Sequence, residues 1–280
     1  MLRRLALTLT APAFLALAFL AQTAQAQTGR TEALIEVLRL PEVIEIMREE
    51  GRDHGAEIGA SLLGRQAGGG WEATVERIYR PARMMAIMVA GLEAALPAEA
   101  PLAEMVAFFE TDLGRRVVEL EIGARRAMLD EAVDEAAREA WARMRLDEDA
   151  RIPLLRRFVE VGNLVEENVA GGLNSTYAFY MGLLDGGAPE FPMAQGDVLA
   201  DVMAQEPGIR AEIEEWLFAY LALAFGPLET ADLEAYTAFF ETEAGRALNT
   251  ALFAGFHGMF DTISRELGRA AGLMLGGEDL

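Results

Sequence analysis

Apolar positions along this chain recur at helical spacing. Leu102, Met105, Val106 and Phe109 stand at i, i+3, i+4 and i+7, which places all four on one helix face. Similar periodic stretches fill most of the sequence, while strand-like alternation is nearly missing and Ala, Leu, Glu, Arg and Met dominate. The pattern predicts an all-α fold, a multi-helix bundle. Helices are expected at about 32–38, 41–63, 71–96 with a break at Pro81, 101–110 and 112–146. A second series is expected at 152–184, 197–205, 207–225, 231–241 and 243–274. The runs 84–92 and 216–225 are apolar on most sides and should sit centrally. Acid-before-base pairs four residues apart, Glu121 with Arg125, Asp134 with Arg138 and Glu139 with Arg143, read as a solvated face of the helix beginning at 112.

The two series are related. Ala-Phe-Phe-Glu-Thr-Asp-Leu-Gly-Arg at 107–115 recurs as Ala-Phe-Phe-Glu-Thr-Glu-Ala-Gly-Arg at 238–246, a constant offset of 131. The same offset carries Leu102, Met105, Val106 and Phe109 onto Leu233, Tyr236, Thr237 and Phe240, so both copies are expected to bury the same stripe. A weaker match pairs Leu34-Ile35 with Leu154-Leu155 at an offset of 120. The shortfall implies an insertion in the second copy, best placed at the Gly- and Pro-rich stretch 185–196, opposite the shorter loop 64–70. The expected organisation is therefore a first helical unit at 27–150 and a second at 151–280, either as separate domains or as one interleaved core.

Within each motif, Thr111 and Thr242 read as N-caps whose hydroxyls accept a backbone N–H of the next helix. Asp112 and Glu243 follow where the helix dipole favours a negative charge. Gly114 and Gly245 fall in the first helical turn, where glycine costs about 1 kcal/mol relative to alanine, so a close approach of another helix is expected there. Arg115 and Arg246 are placed to reach back to Glu110 and Glu241 and clamp the bend. The structural motif is thus Phe108, Phe109, Glu110, Thr111, Gly114 and Arg115, with Phe239, Phe240, Glu241, Thr242, Gly245 and Arg246 as its repeat. This Phe-Phe-x-Thr-x-x-Gly-Arg pattern resembles the uncharacterised family catalogued as domain of unknown function 2059, over about 78–128 and 212–256 and most closely in the second copy. Asp112 and Glu243 replace the proline that often follows the threonine in that family. The resemblance implies a helical, usually exported protein of unassigned activity.

The first residues have the plan of a secretory signal. Arg3 and Arg4 precede an apolar run over 5–21, and Ala24-Gln25-Ala26 supplies the small residues of a cleavage site. Cleavage after residue 26 would leave Gln27 first and place the protein in the periplasm. It would also shift the formal charge from −21 to −23, because the segment carries two arginines and no acid. Such acidity disfavours nucleic acid and anionic lipid as partners. No later apolar run approaches the roughly 20 residues of a membrane span.

Candidate chemistry is sparse. All 24 basic residues are arginines, which removes lysine Schiff-base chemistry, and cysteine is absent, which removes disulfides, thiol catalysis and thiolate metal binding. His54 and His257 each lack a second histidine at ligand spacing, and Ser61, Ser175 and Ser264 lie outside any Gly-x-Ser-x-Gly elbow. The acidic cluster Glu212, Glu214 and Glu215 reads as a solvated face, and Gly68-Gly69-Gly70 follows no strand and makes no dinucleotide loop. Met84, Met85, Met88, Phe253, Phe256, Met259 and Phe260 read as core before they read as a greasy pocket. No catalytic, cofactor or metal residue is assigned. The first functional expectation is a non-enzymatic module that binds another envelope protein; the alternative is a carrier of a hydrophobic small molecule or lipid between its helices.

Overall fold

Helical periodicity is realised throughout a computed structural model that describes residues 31–64, 68–188 and 195–277, with no strand among them. The expected export segment 1–26 lies outside the described residues, as do positions 189–194 of the expected insertion and 65–67 of the loop opposite it. After helical residues 31–37 come α1 (Leu40–Ile58), extended by a π-helical turn at Gly59–Leu63, then α2 (Gly69–Ile78), α3 (Pro81–Ala95) and α4 (Leu102–Phe109). These lead to α5 (Asp112–Ala127), α6 (Glu131–Leu146), α7 (Ile152–Val161) and α8 (Leu164–Asp185). The chain closes with α9 (Gln195–Ala204), α10 (Glu206–Phe225), α11 (Thr230–Phe240) and α12 (Glu243–Leu275). No helix among the described residues is long and apolar enough to cross a membrane.

Two long helices expected from periodicity are broken. The stretch 112–146 divides at 128–130, where the Asp130 carboxylate accepts the Ala132 N–H at 3.0 Å and starts α6. The stretch 152–184 divides at Gly162 and Asn163, and Asn163 takes a left-handed φ of 52°. Asparagine tolerates that conformation better than most residues. Arg39 does the same before α1, with φ of 51°, and forks onto Glu42 at 2.6 Å through two nitrogens. These two breaks lie 124 positions apart rather than 120, so the leading helices align differently from the Leu34–Leu154 pairing.

The 33-residue α12 takes the centre, packed along α8 and α3, although 84–92 and 216–225 are the more apolar runs. Small residues allow this. A methyl group on Gly268 would stand 2.0 Å from the Phe179 carbonyl oxygen, one on Gly182 2.1 Å from that of Arg265, and one on Gly255 2.6 Å from that of Met88. Backbone therefore meets backbone at several points along α12. The buried core continues without interruption from Leu34, Ile44, Met84 and Met88 through Phe109 and Val117 to Phe225, Leu248 and Met259. Arg151, between α6 and α7, donates to the carbonyls of Phe225, Gly226 and Leu228 at 2.6, 2.9 and 3.1 Å, which satisfies acceptors that the end of α10 leaves free.

Candidate functional site

Both threonine bends have the same local geometry. The Thr111 hydroxyl accepts the Gly114 N–H at 2.9 Å and donates to the Phe108 carbonyl at 2.6 Å. Thr242 accepts from Gly245 at 3.0 Å and donates to Phe239 at 2.6 Å. Each threonine thus ties the end of one helix to the start of the next. The close approach of another helix expected at the glycines is present, and the helix that approaches is the preceding one, folded back at the bend. A methyl group on Gly114 would lie 2.2 Å from the Phe108 oxygen, and one on Gly245 2.1 Å from the Phe239 oxygen. Arg115 and Arg246 do reach back, but to the main-chain carbonyls of Glu110 and Glu241 and not to their carboxylates. The Glu241 carboxylate is taken by Arg157 at 2.7 Å, while Arg115 adds a bond to Asp112 at 2.7 Å.

Because α4 and α11 bring their ends together, the two motifs touch. Phe108 stacks on Phe239 with ring centroids 4.0 Å apart and 12° between planes, and Phe109 meets Phe239 edge-on at 5.5 Å. One expectation fails here: the two copies do not bury identical stripes. Leu102 and Leu233, and Met105 and Tyr236, are buried in step, but Phe109 is buried where Phe240 is half-buried, and Phe239 is buried where Phe108 is half-buried.

Phe240 is not fully covered because it lines a cavity of about 170 Å³. Leu38, Leu40, Val43 and Ile46 close one side, α4 gives Phe109, and α5 gives Val118, Glu121, Ile122 and Arg125. The remaining walls are Tyr220 from α10, Tyr236 and Phe240 from α11, and Leu248, Leu252 and Phe256 from α12. Six of the fifteen wall positions fall into pairs 131 apart: Phe109 with Phe240, Glu121 with Leu252, Arg125 with Phe256. At two of these pairs the first member is charged and the second apolar.

The polar groups of the cavity are tightly organised. Tyr236 donates its hydroxyl to Glu121 Oε1 at 3.1 Å, and Tyr220 donates to the Glu121 main-chain carbonyl at 3.1 Å. Burial pushes the Glu121 carboxyl up to about 7, with the Tyr236 hydrogen bond working in the opposite direction. Burial, together with the charge of Glu121, also raises both tyrosine hydroxyls. Arg125 does not face Glu121 as an i+4 partner. It forks onto Glu50 of α1 through Nε at 2.9 Å and Nη2 at 2.8 Å, and that pairing outweighs the burial that disfavours its charge. The solvated-pair reading of Glu121 and Arg125 is therefore corrected: one is a lone acid turned inward, the other an interhelical clamp. Of the three expected pairs, Asp134 with Arg138 at 2.7 Å and Glu139 with Arg143 at 3.3 Å form.

A benzene-sized molecule is held by an apolar cavity of roughly 150 Å³, so this space suits a ligand of roughly six to ten heavy atoms. Its combination of apolar walls, few convergent polar groups and a titratable acid shifted toward neutrality is the pattern of a binding site. The larger depression between α1 and α2, about 870 Å³, is a polar groove whose two lining arginines, Arg48 and Arg52, already pair, Arg52 with Glu76 at 2.6 Å and Arg48 with Glu45 at 3.4 Å. Ser175 Oγ donates to Asp261 Oδ1 at 3.4 Å, so the serine meets a carboxylate where a nucleophile would need a base such as His257. His54 is exposed, and His257 is half-buried beside Phe253 at 5.6 Å. Glu212, Glu214 and Glu215 are exposed, with Glu212 reaching Arg138 at 2.8 Å. Of the Met and Phe residues considered as a greasy pocket, Phe256 alone lines the cavity, while Met84, Met88 and Met259 are fully buried core.

Sequence reasoning missed Glu121, Tyr220 and Tyr236. The signal was present in the self-comparison: Tyr236 stands opposite Met105, and Glu121 opposite Leu252, each a polar-for-apolar exchange at matched positions.

Residues 82–142, from α3 into α6, match the model of a family described as an uncharacterized protein conserved in bacteria, domain of unknown function 2059. The matched stretch holds the first bend, Glu121 and Arg125, whereas the motif alone reads as closer to the family in the second copy. No curated protein and no solved structure matches the chain.

Proposed function

We propose that this is an exported, periplasmic binding protein that holds a small hydrophobic molecule in the cavity between α1, α4, α5, α10, α11 and α12. The observation that carries the reading is the hydrogen bond between half-buried Glu121 and buried Tyr236, set into apolar walls at the meeting of the two motifs. A carboxyl in such surroundings is costly unless a ligand or a proton shares its site. The signal-like segment 1–26 supports export, and the 131-residue offset that pairs cavity walls supports an origin by duplication of one helical unit.

The test is isolation under gentle conditions from the native periplasm, followed by native mass spectrometry and N-terminal sequencing. A mature chain beginning at Gln27 with a bound molecule of roughly six to ten heavy atoms is expected. Benzyl alcohol should raise the unfolding temperature of the emptied protein, and Leu252→Trp, which fills the cavity, should abolish that effect. A ligand-free protein with no response to benzyl alcohol would remove the basis for this reading.

The second reading, a module for another envelope protein, draws on α9. There Leu199 and Met203 are 55% and 53% exposed, while Val198 and Val202 are buried. Crosslinking in intact periplasm at moderate salt should recover a partner through α9 under that reading, and recovery unaltered by Leu199→Glu would count against it.

A further inference from the structure

We propose that the cavity takes a small hydrophobic organic cation, a protonated amine on an aromatic or short alkyl frame, with Glu121 as its counter-ion. This deepens the binding-protein reading and rests on it. α1 presents Glu50, α5 presents Glu121 and Arg125, α10 presents Tyr220 and α11 presents Tyr236; the residues lining it from α4 and α12 are apolar. The Arg125 charge is consumed by the two-point fork with Glu50, so Glu121 keeps no cationic partner among the described residues. Both tyrosine hydroxyls already donate, one to the Glu121 carboxylate and one to its main-chain carbonyl. An anionic head would therefore find no uncompensated cation and no tyrosine hydroxyl left to donate.

A cation finds the reverse. It meets a carboxylate with no counter-ion and five aromatic rings, Phe109, Tyr220, Tyr236, Phe240 and Phe256, whose electron-rich faces attract positive charge. The chain as a whole, at −21, draws cations toward itself and repels anions. Proton and ligand then compete for one carboxylate. Burial holds the Glu121 carboxyl at about 7, so the amine must displace a proton in acid and meets a ready counter-ion in mild base. Affinity should rise with pH through that region until the amine itself loses its charge.

The experiment is calorimetric titration of the whole mature chain with benzylamine, benzyl alcohol and benzoate, three frames of like size and different charge. At about pH 8 benzylamine should bind roughly tenfold or more tightly than benzyl alcohol, with benzoate weakest, and the preference should shrink severalfold at about pH 5.5. Glu121→Gln should erase the preference and retain benzyl alcohol binding. Should that variant fail to fold, the wild type still decides, because benzylamine alone should release a proton at about pH 6.5, read from heats in buffers of different ionisation enthalpy. If benzyl alcohol or benzoate equals benzylamine at the higher pH, or no proton is released, the cation assignment is overturned while the cavity reading stands. If none of the three binds, the cavity reading fails as well.

Discussion

Glu121 retains its proton in the folded chain up to about pH 7, well above the range in which an exposed glutamate ionises. A carboxyl raised on folding contributes stability that is complete below its unfolded value near 4.5 and is lost as pH climbs through about 7. The Tm of the wild type should therefore fall between about pH 5 and pH 7.5. Glu121→Gln should flatten that dependence and raise Tm by a few degrees at about pH 8 with little change near pH 4.5, as scanning calorimetry can show. Phe109 and Phe240, matched in sequence, should behave differently. Phe109 is 2% exposed, so Phe109→Ala should cost about 3–5 kcal/mol in denaturant unfolding. Phe240→Ala should cost clearly less, because that ring already borders empty space, and should instead enlarge the cavity and weaken ligand retention.

At the scale of elements, the bends at Thr111 and Thr242 were legible because each is a local arrangement. Cap, acid, glycine and arginine lie within nine residues and recur at a fixed distance. Their chemistry separates two kinds of substitution. Thr242→Ala removes one capping acceptor and should cost about 1 kcal/mol. Gly245→Ala should cost more, about 2 kcal/mol or beyond, even though alanine favours helix, because its methyl would press on the Phe239 carbonyl. Equilibrium unfolding of both variants checks the order, and a milder Gly245→Ala would contradict the described bend. The helix breaks at 128–130 and at Asn163 were less legible. Asp130 and Asn163 are ordinary surface residues until tertiary packing turns the chain at them.

Across the whole molecule, helical class and most boundaries follow from periodicity, since hydrogen bonding within a helix is local. The cavity does not. Tyr236 and Glu121 are 115 positions apart, and Arg125 and Glu50 are 75 apart, so neither pairing leaves a trace in spacing. The i+4 rule gave Arg125 the wrong partner because it weighs neighbours on one helix and has no knowledge of a second helix packed alongside. The core shared between the two parts is likewise a tertiary fact. A duplicated pattern is compatible with two separate bodies or one, and spacing along the chain says nothing of the one cluster of buried residues that runs from Leu34 to Met259 among the described residues.

Where α12 lies directly on the main chains of α3 and α8, no side chain is left to yield. Gly255, Gly268 and Gly182 hold these helices at a spacing that cannot shrink and has little reason to widen. The molecule is thus stiff where α12 lies on α3 and α8, and breathing that lets a guest in or out is expected in the other elements that wall the cavity, α11 among them. Amide hydrogen exchange should be slowest over 255–272 and faster over 230–240, and an entrapped guest should slow the second region far more than the first.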